Sequence, residues 1–396
     1  MKARNAMRRN GYFLKLVTAG HFSAMFAAFS IPPFLSTILT GSFPDGLSYL
    51  GICYAAPVLA AFLGYPLRMV LTTRIGERKA LIASHIALAV IMSGMSVADS
   101  PAMFLCGLIL QGFVAPTFAT SSSYLACRLN QDELVTGIRA LQLITRVAAV
   151  LGPSLLGGVI LYFSRPLQVY LLLALLLLIT AFLLTLLLPS ESENSQKKAA
   201  GKDLMRSGNG YQLWKPYIAQ VLILFSASLY APHFITYLQT EVKVIPDSLL
   251  GTVFSIPSIT YLCSVPLLQP IRKLRNVTLL CTGFILVMLG LIGQWQCQQW
   301  MMVIICQAGI GMGTFISFTG INLYLVSVTQ ILGATKTFFR FELTGRCAMA
   351  AGAITGDFLV GIAGIKAPFL VSSALMICAL VFFFSICSRS ETQQSF

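Results

Sequence analysis

Residues 48–67, SYLGICYAAPVLAAFLGYPL, return at 248–267 as SLLGTVFSIPSITYLCSVPL. Ser48, Leu50, Gly51, Pro57, Pro66 and Leu67 recur as Ser248, Leu250, Gly251, Pro257, Pro266 and Leu267, each at a spacing of 200 residues. The same ungapped register extends outward in both directions. Pro32 and Phe34 recur as Pro232 and Phe234, and Phe118, Tyr124 and Leu125 as Phe318, Tyr324 and Leu325. Leu143, Arg146, Ala148 and Gly152 recur as Leu343, Arg346, Ala348 and Gly352. Leucine and alanine match easily by chance in greasy sequence, whereas matched prolines and a matched arginine inside apolar runs do not. Two homologous apolar halves in tandem are the plan of a transporter whose bundles rock about a midplane site.

Composition fixes the class. The 396 residues are 57% hydrophobic and 10% charged, and the mean hydropathy is +0.81. A run of about 20 apolar residues spans a bilayer as a helix. Twelve such runs are expected, at 12–39, 47–70, 80–98, 102–127, 137–161, 166–189, 215–239, 248–269, 277–295, 299–327, 341–362 and 368–387. They are continuous rather than alternating, which selects helices over barrel strands. The expected architecture is all-α and integral to the membrane, with twelve transmembrane helices in two pseudo-symmetric six-helix bundles. The first run is too long and too polar for a cleaved signal peptide. The polar stretch SESENSQKKAAGKDLMRSGNGYQLW, residues 190–214, separates an N-terminal bundle, 1–189, from a C-terminal bundle, 215–396.

The net charge of +14 would suggest nucleic acid in a soluble protein, but its distribution points to a membrane. Lys2, Arg4, Arg8, Arg9, Arg74, Arg78, Lys79, Lys197, Lys198, Lys202, Arg206, Arg272, Lys273 and Arg275 fall on one side. The other side has Arg165, Lys243 and Lys366 beside Asp45, Asp99, Glu241 and Asp247. By the positive-inside rule both termini are cytoplasmic, and the expected location is the inner membrane. The ten cysteines are scattered through apolar runs, so neither a metal centre nor a disulfide framework is expected. No phosphate-binding glycine loop is present, so energy should come from a gradient rather than from ATP, with no cofactor and no enzymatic reaction.

These features resemble the major facilitator superfamily, and the resemblance covers essentially the whole chain. That family carries a G-x-L-x-D-R-x-G-R-K pattern between helices 2 and 3. Leu71, Arg74, Gly76 and Arg78 match it, while Met69, Thr73 and Glu77 replace its first glycine, its aspartate and an arginine. Gly152-Pro153 followed by Gly157-Gly158 resembles the glycine–proline signature of the superfamily's drug/proton antiporters, with one extra residue. Gln111-Gly112 resembles the end of a further antiporter motif, whose arginine is Leu108 here. The resemblance implies a monomer carrying a small molecule against protons.

Ionisable residues inside the runs mark candidate sites. An arginine at membrane depth costs roughly 2.5–3.5 kcal/mol on insertion scales, so Arg146 and Arg346 should face a partner or a wet cavity. Arginine suits bidentate carboxylate recognition. A structural role, bonded to carbonyls or carboxylates, is the alternative. Glu342 lies four residues before Arg346, on the same face. Asp357 lies eleven residues beyond Arg346, which at about 100° per residue returns to within about 20° of it. The first bundle has Gln142 where the second has Glu342, so Arg146 is expected to be the freer anion binder. Arg139 and Arg340 lie nearer the cytoplasmic ends and can snorkel.

Glu342, His21 and Asp357 are the candidate proton-coupling residues, and His233 beside Pro232 is expected to be structural. By the same resemblance, Thr117, Thr120, Ser121, Ser122, Ser123 and Tyr124 on helix 4 line the cavity. Thr314, Ser317, Thr319, Asn322 and Tyr324 do so on helix 10. Half of these hydroxyls are expected to bond their own helix instead. Arg146, Arg346, Tyr124, Tyr324, Asn322 and Ser121 form the expected substrate site. Arg74, Gly76, Arg78, Gly152, Pro153 and Gly157 are expected to serve gating or structure. The expected function is proton-driven export of a small anionic molecule of siderophore or drug type. Uptake of an organic anion or sugar phosphate is the alternative within transport, and a non-transporting sensor or scaffold the alternative outside it.

Overall fold

The computed structural model describes residues 2–115, 118–126, 128–129, 131–160, 163, 165–189, 214–242, 245–271, 274–332 and 334–392. The stretch 190–213, Thr117, Lys243, Arg272 and Lys273 therefore lie outside the described residues. So do the side chains of Ser123, Arg139, Tyr324, Arg340 and Glu342.

Inside hydrocarbon every backbone N–H and C=O must find a partner within the protein, and a helix supplies those partners locally. Eleven helices among the described residues are long and apolar enough to cross a membrane, and a shorter apolar helix, Pro101–Val114, joins them. With that fourth span the layout is twelve helices in two sets of six. Spans 1 to 3 are Lys2–Ser30 continued by Leu35–Ser42, then Leu50–Ile75 and Glu77–Ser96. Span 4 is Pro101–Val114 followed by Phe118–Ala126, span 5 is Gln131–Val159 and span 6 is Val169–Leu187. Spans 7 to 9 are Trp214–Tyr230 continued by Phe234–Glu241, then Leu250–Ser264 and Asn276–Gln296. Spans 10 to 12 are Trp300–Leu332, Ala334–Ala363 and Ala367–Thr392.

The chain falls into two compact units. The first is Met1–Tyr49 with Leu59–Lys202, and the second is Asp203–Phe396 with Leu50–Val58, the beginning of span 2. In the first unit span 1 packs on spans 5 and 6, and span 3 on span 6; in the second, span 7 packs on spans 11 and 12, and span 9 on span 12.

The sequence repeat is visible as a repeat of local structure. Span 1 tightens into a 3-10 turn at Pro32–Phe34, and span 7 does the same at Ala231–His233. Proline is tolerated there because the first positions of such a turn need no N–H donor. Gly46–Tyr49 precedes Leu50 as Asp247–Leu249 precedes Leu250. A methyl group on Gly41 would stand 2.9 Å from Pro166 Cγ. At the equivalent positions of the second unit, Lys366 Nζ meets Glu241 Oε2 at 2.8 Å. Gly152 gives Ser30 room, since a methyl there would lie 2.7 Å from Ser30 Oγ. Gly352 does the same for span 7, where a methyl would lie 2.5 Å from Phe225 O.

Span 4 departs from the continuous helix expected over 102–127. It stops at Ala115, whose ψ of 126° is extended. Pro116 follows, and the residue before a proline is pushed out of the helical region. Position 316 is isoleucine, and span 10 runs unbroken through it as Trp300–Leu332. The carbonyls left over at the break are taken up by Arg68 of span 2. Its Nη1 donates to Ala115 O at 2.8 Å and Gly112 O at 3.3 Å, and its Nη2 to Ala61 O at 2.7 Å. The counterpart of Arg68 is Leu268, so arginine and break occur together in one half and are absent together from the other.

The turn between spans 2 and 3 rests on Gly76, whose φ of 88° and ψ of 156° lie in a region open essentially to glycine alone. Arg78, two residues on, donates from Nε to Leu188 O at 2.9 Å and from Nη2 to Thr185 O at 2.6 Å. It thereby closes the C-terminus of span 6, where a cation also complements the helix dipole. Arg128 donates to Pro189 O at 3.3 Å beside it and lies 5.2 Å from the centre of the Tyr124 ring.

Gly76→Ala is expected to lower stability by roughly 1–3 kcal/mol, read as a fall in melting temperature in detergent. Gly94→Ala, where a methyl group meets nothing within 4 Å, should be neutral or stabilising by up to about 1 kcal/mol. Equal shifts for the two variants would contradict this account of the turn. Arg68→Ala should destabilise by at least the roughly 1–3 kcal/mol of one orphaned buried carbonyl. Arg74→Ala, an exposed charge in the same basic stretch, should leave the melt unchanged.

Candidate functional site: polar side chains within the spans

Among the described residues, polar side chains inside the apolar helices include the following groups. The first is in the first unit, around His21 of span 1, which is fully buried. Its Nε2 is 2.8 Å from Thr145 Oγ1 of span 5, and its Nδ1 is 3.3 Å from Ser121 Oγ of span 4. Thr145 Oγ1 also donates to Leu141 O at 2.8 Å, so it accepts from the imidazole. That fixes the proton of the neutral ring on Nε2 and leaves Nδ1 to accept from Ser121. His21 thus ties together three helices of one bundle, next to Arg146 in sequence terms through Thr145.

His85 of span 3 is also fully buried. Its Nε2 is 3.0 Å from Gly20 O and its Nδ1 is 2.9 Å from Leu81 O. Both ring nitrogens face carbonyls, which only the doubly protonated ring can satisfy at once.

The second feature is one arginine in each unit, at matched positions. Arg146 and Arg346 occupy matched places on spans 5 and 11, half-buried in their own units, and each is engaged by neighbouring groups. Gln142 on span 5 is exposed. Spans 5 and 11 pack on spans 1 and 7 respectively. Gln220 of span 7 lies against Gly345, where a methyl group would be 2.5 Å from Gln220 Nε2. Gln220 and Gly345 therefore hold in the second unit the places that Gly20 and Thr145, beside His21, hold in the first.

The third cluster was not expected from sequence. His233 Nε2 lies 3.3 Å from Asp357 Oδ1, joining span 7 to span 11 in the second unit. The distance is that of an ion pair, yet the alignment is not that of a hydrogen bond: Nε2 is buried with no hydrogen-bond partner among the described residues. Helical periodicity places Asp357 on one face with Arg346, and the histidine beside Asp357 comes from span 7. The available signal was His233 beside Pro232, at the 3-10 turn that redirects span 7.

The expected hydroxyl lining divides. Ser121 faces His21. Thr314 and Thr319 donate to Ile310 O and Phe315 O of their own helix at 2.7 and 2.8 Å, which uses their one donor and leaves them as acceptors only. Thr120 and Ser317 are buried, Ser122 is half-buried and Asn322 is exposed. Tyr124 is packed in the core of the first unit with Val17, Leu81, Leu125, Leu141, Leu184 and Leu188. Gly157 and Pro153 are buried inside span 5, and Gly158 has open space around it. Among the described residues no group of His, Cys, Asp and Glu side chains could hold a metal.

Twelve apolar helices with charged and polar groups placed inside them, in two repeated sets, define a multi-pass membrane transporter. The sequence profile of the Major Facilitator Superfamily matches residues 17–341, and the chain belongs to that family. It is 21% identical over 365 residues to a protein of Lactococcus lactis subsp. lactis (strain IL1403) described as a multi-drug resistance efflux pump PmrA homolog, covering 89% of each chain. The crystal structure of a peptide transporter POT in complex with alafosfalin is similar at a TM-score of 0.72 and 11% identity, covering 93% of each chain. At that identity the likeness is one of fold.

Breaking the His21 cluster should be measurable apart from transport. His21→Leu leaves the Ser121 and Thr145 hydroxyls facing an apolar group and should lower the melting temperature. His21→Gln, which both donates and accepts, should restore most of it. Identical melts for the two variants would remove the structural role assigned to the cluster.

Proposed function

We propose that this protein is a proton-driven exporter of a small anionic molecule of drug or siderophore type, working from the inner membrane with both termini cytoplasmic. The observation that carries the reading is the matched pair Arg146 and Arg346, half-buried at equivalent places in the two halves. A guanidinium at this depth costs roughly 2.5–3.5 kcal/mol, and a duplicated chain that keeps it twice has a use for it in both halves. The planar fork of arginine holds a carboxylate through two parallel hydrogen bonds. Asn322, exposed on span 10, offers a polar contact, whereas Ser121 of span 4 is buried against His21; the buried Gly152–Pro153 pair lets span 5 lie close to span 1. The efflux description of the Lactococcus relative supports the outward direction, and the basic loops on one side support the orientation.

Coupling needs a group that exchanges a partner for a proton as substrate arrives or leaves. Glu342, one turn from Arg346, His21 and Asp357 are candidate groups of that kind within the spans.

Arg146→Ala and Arg346→Ala should each abolish transport of carboxylate dyes such as carboxyfluorescein in inverted vesicles, at normal membrane levels of protein. Arg146→Lys should rescue only in part, because an ammonium cannot make the bidentate contact. Wild-type rates in both alanine variants would overturn the substrate assignment. A protonophore should stop accumulation by the wild-type protein, and undiminished accumulation would overturn proton drive. If Glu342→Gln still concentrates the dye, Glu342 is not the coupling group.

A further inference from the structure

We infer that His233 and Asp357 together form a proton-binding site; the inference rests on the proton-driven reading above and assigns the proton to particular atoms. Three observations converge on the pair. First, His233 is buried at 5% exposure, with Nε2 only 3.3 Å from Asp357 Oδ1 and without a hydrogen-bond partner among the described residues. A ring nitrogen taken out of water and left unmatched is a costly arrangement for a purely structural group. Second, the carboxylate side chain is 30% exposed and the histidine side chain 6%, so the carboxylate is the more accessible member of the pair. Third, the neighbouring backbone is shaped around the carboxylate. A methyl group at Gly51 would stand 2.6 Å from Asp357 Cβ and 2.9 Å from Oδ2; Gly51 belongs to the span 2 segment that clusters with the second unit.

The pair is a feature of one half alone. The counterparts of His233 and Asp357 are Pro33 and Gly157. The repeat therefore supplies the scaffold twice and the titratable couple once, as a single coupling site requires. The titratable groups on the surrounding elements are few. Tyr230 and Tyr237 lie on span 7 a turn either side of His233 and are buried. Tyr237 donates to Gln294 O at 2.6 Å. Cys53 of the span 2 segment is within electrostatic reach of Asp357, and Tyr54 of Tyr230. Arg346 and Cys347 lie three turns back along span 11, and Glu241 is paired with Lys366 at the membrane end.

In its three protonation states the couple is carboxylate with neutral imidazole, carboxylate with imidazolium, or carboxylic acid with imidazolium. Each step forms or breaks one N–H or O–H bond, takes its proton from water or returns it there, and changes the local charge by one. A charge change in a poorly solvated place alters how tightly span 7, span 11 and the Gly51 segment hold together, which is how a proton can select between two arrangements of the helices.

The test needs no substrate. Purified protein in weakly buffered detergent is shifted from about pH 8 to about pH 5, the range in which histidine ordinarily titrates, and its proton uptake is read with pyranine. The wild-type protein should bind about one proton more than Asp357→Asn/His233→Gln, with Asp357→Asn and Asp357→Glu each moving the uptake profile. Size-exclusion chromatography establishes that each variant is folded; if His233→Gln is not, the two Asp357 variants decide. Identical uptake profiles for wild type and the Asp357 variants would overturn the proton site. Dye accumulation by the wild-type protein with and without protonophore, run in parallel, separates the two ideas. Loss of accumulation with unchanged uptake profiles rejects the pair and keeps proton drive. Accumulation indifferent to the protonophore rejects proton drive whatever the pair binds.

Discussion

Hydrocarbon offers a backbone no hydrogen bonds, so a chain that crosses it must carry its own. Most of the structure described here answers that demand. The apolar segments are helices because a helix closes its ladder locally. Where a helix is interrupted, a side chain makes good the loss: Arg68 takes the carbonyls at the Ala115 break, and Arg78 those at the end of span 6. Serine and threonine hydroxyls largely turn back on their own helices, as Ser84 does to Ala80 O and Thr180 to Leu176 O. Polar groups that do not turn back, among them His21, His233 and Asp357, therefore stand out against a background in which polarity is normally silenced.

Duplication sets a second constraint. Both halves share the proline-led 3-10 turns, the glycines that admit a neighbouring helix and the arginine of spans 5 and 11. They differ where the chemistry is singular. The first unit has a histidine joined to serine and threonine; the second has a histidine against an aspartate. The first has a broken span 4 held by an arginine; the second has a continuous span 10. The repeat supplies a similar frame in each unit, and the polar fillings differ between them.

The fold was largely legible in the chain. Apolar runs long enough to span a bilayer, with a polar stretch between two matched halves, specify twelve helices before any contact is known, because span length and backbone satisfaction are local properties. Hydropathy alone predicts a continuous fourth helix over 102–127, whereas the helix stops at Ala115, before Pro116. Its effect depends on whether a neighbour can absorb the freed carbonyls, and Arg68 lies 47 residues from Ala115 in the chain. Tyr124, expected in the substrate site from its place on helix 4 and its repeat at Tyr324, packs with Val17, Leu81 and Leu141 in the first unit, because the surroundings of a helix face are set by the helices around it.

The sequence by itself determined the apolar spans, their repeat and the presence of arginines at matched positions. These follow from hydropathy, length and charge read along one dimension. Only the tertiary structure decided which polar groups meet. His21 finds Thr145 124 residues away and Ser121 100 residues away, and His233 finds Asp357 across span 11. The physical reason is the same in each case: a helical periodicity fixes which residues share a face of one helix, while the partner of a buried polar group is set by which helix packs there and at what height, and that is a property of the packed bundle alone.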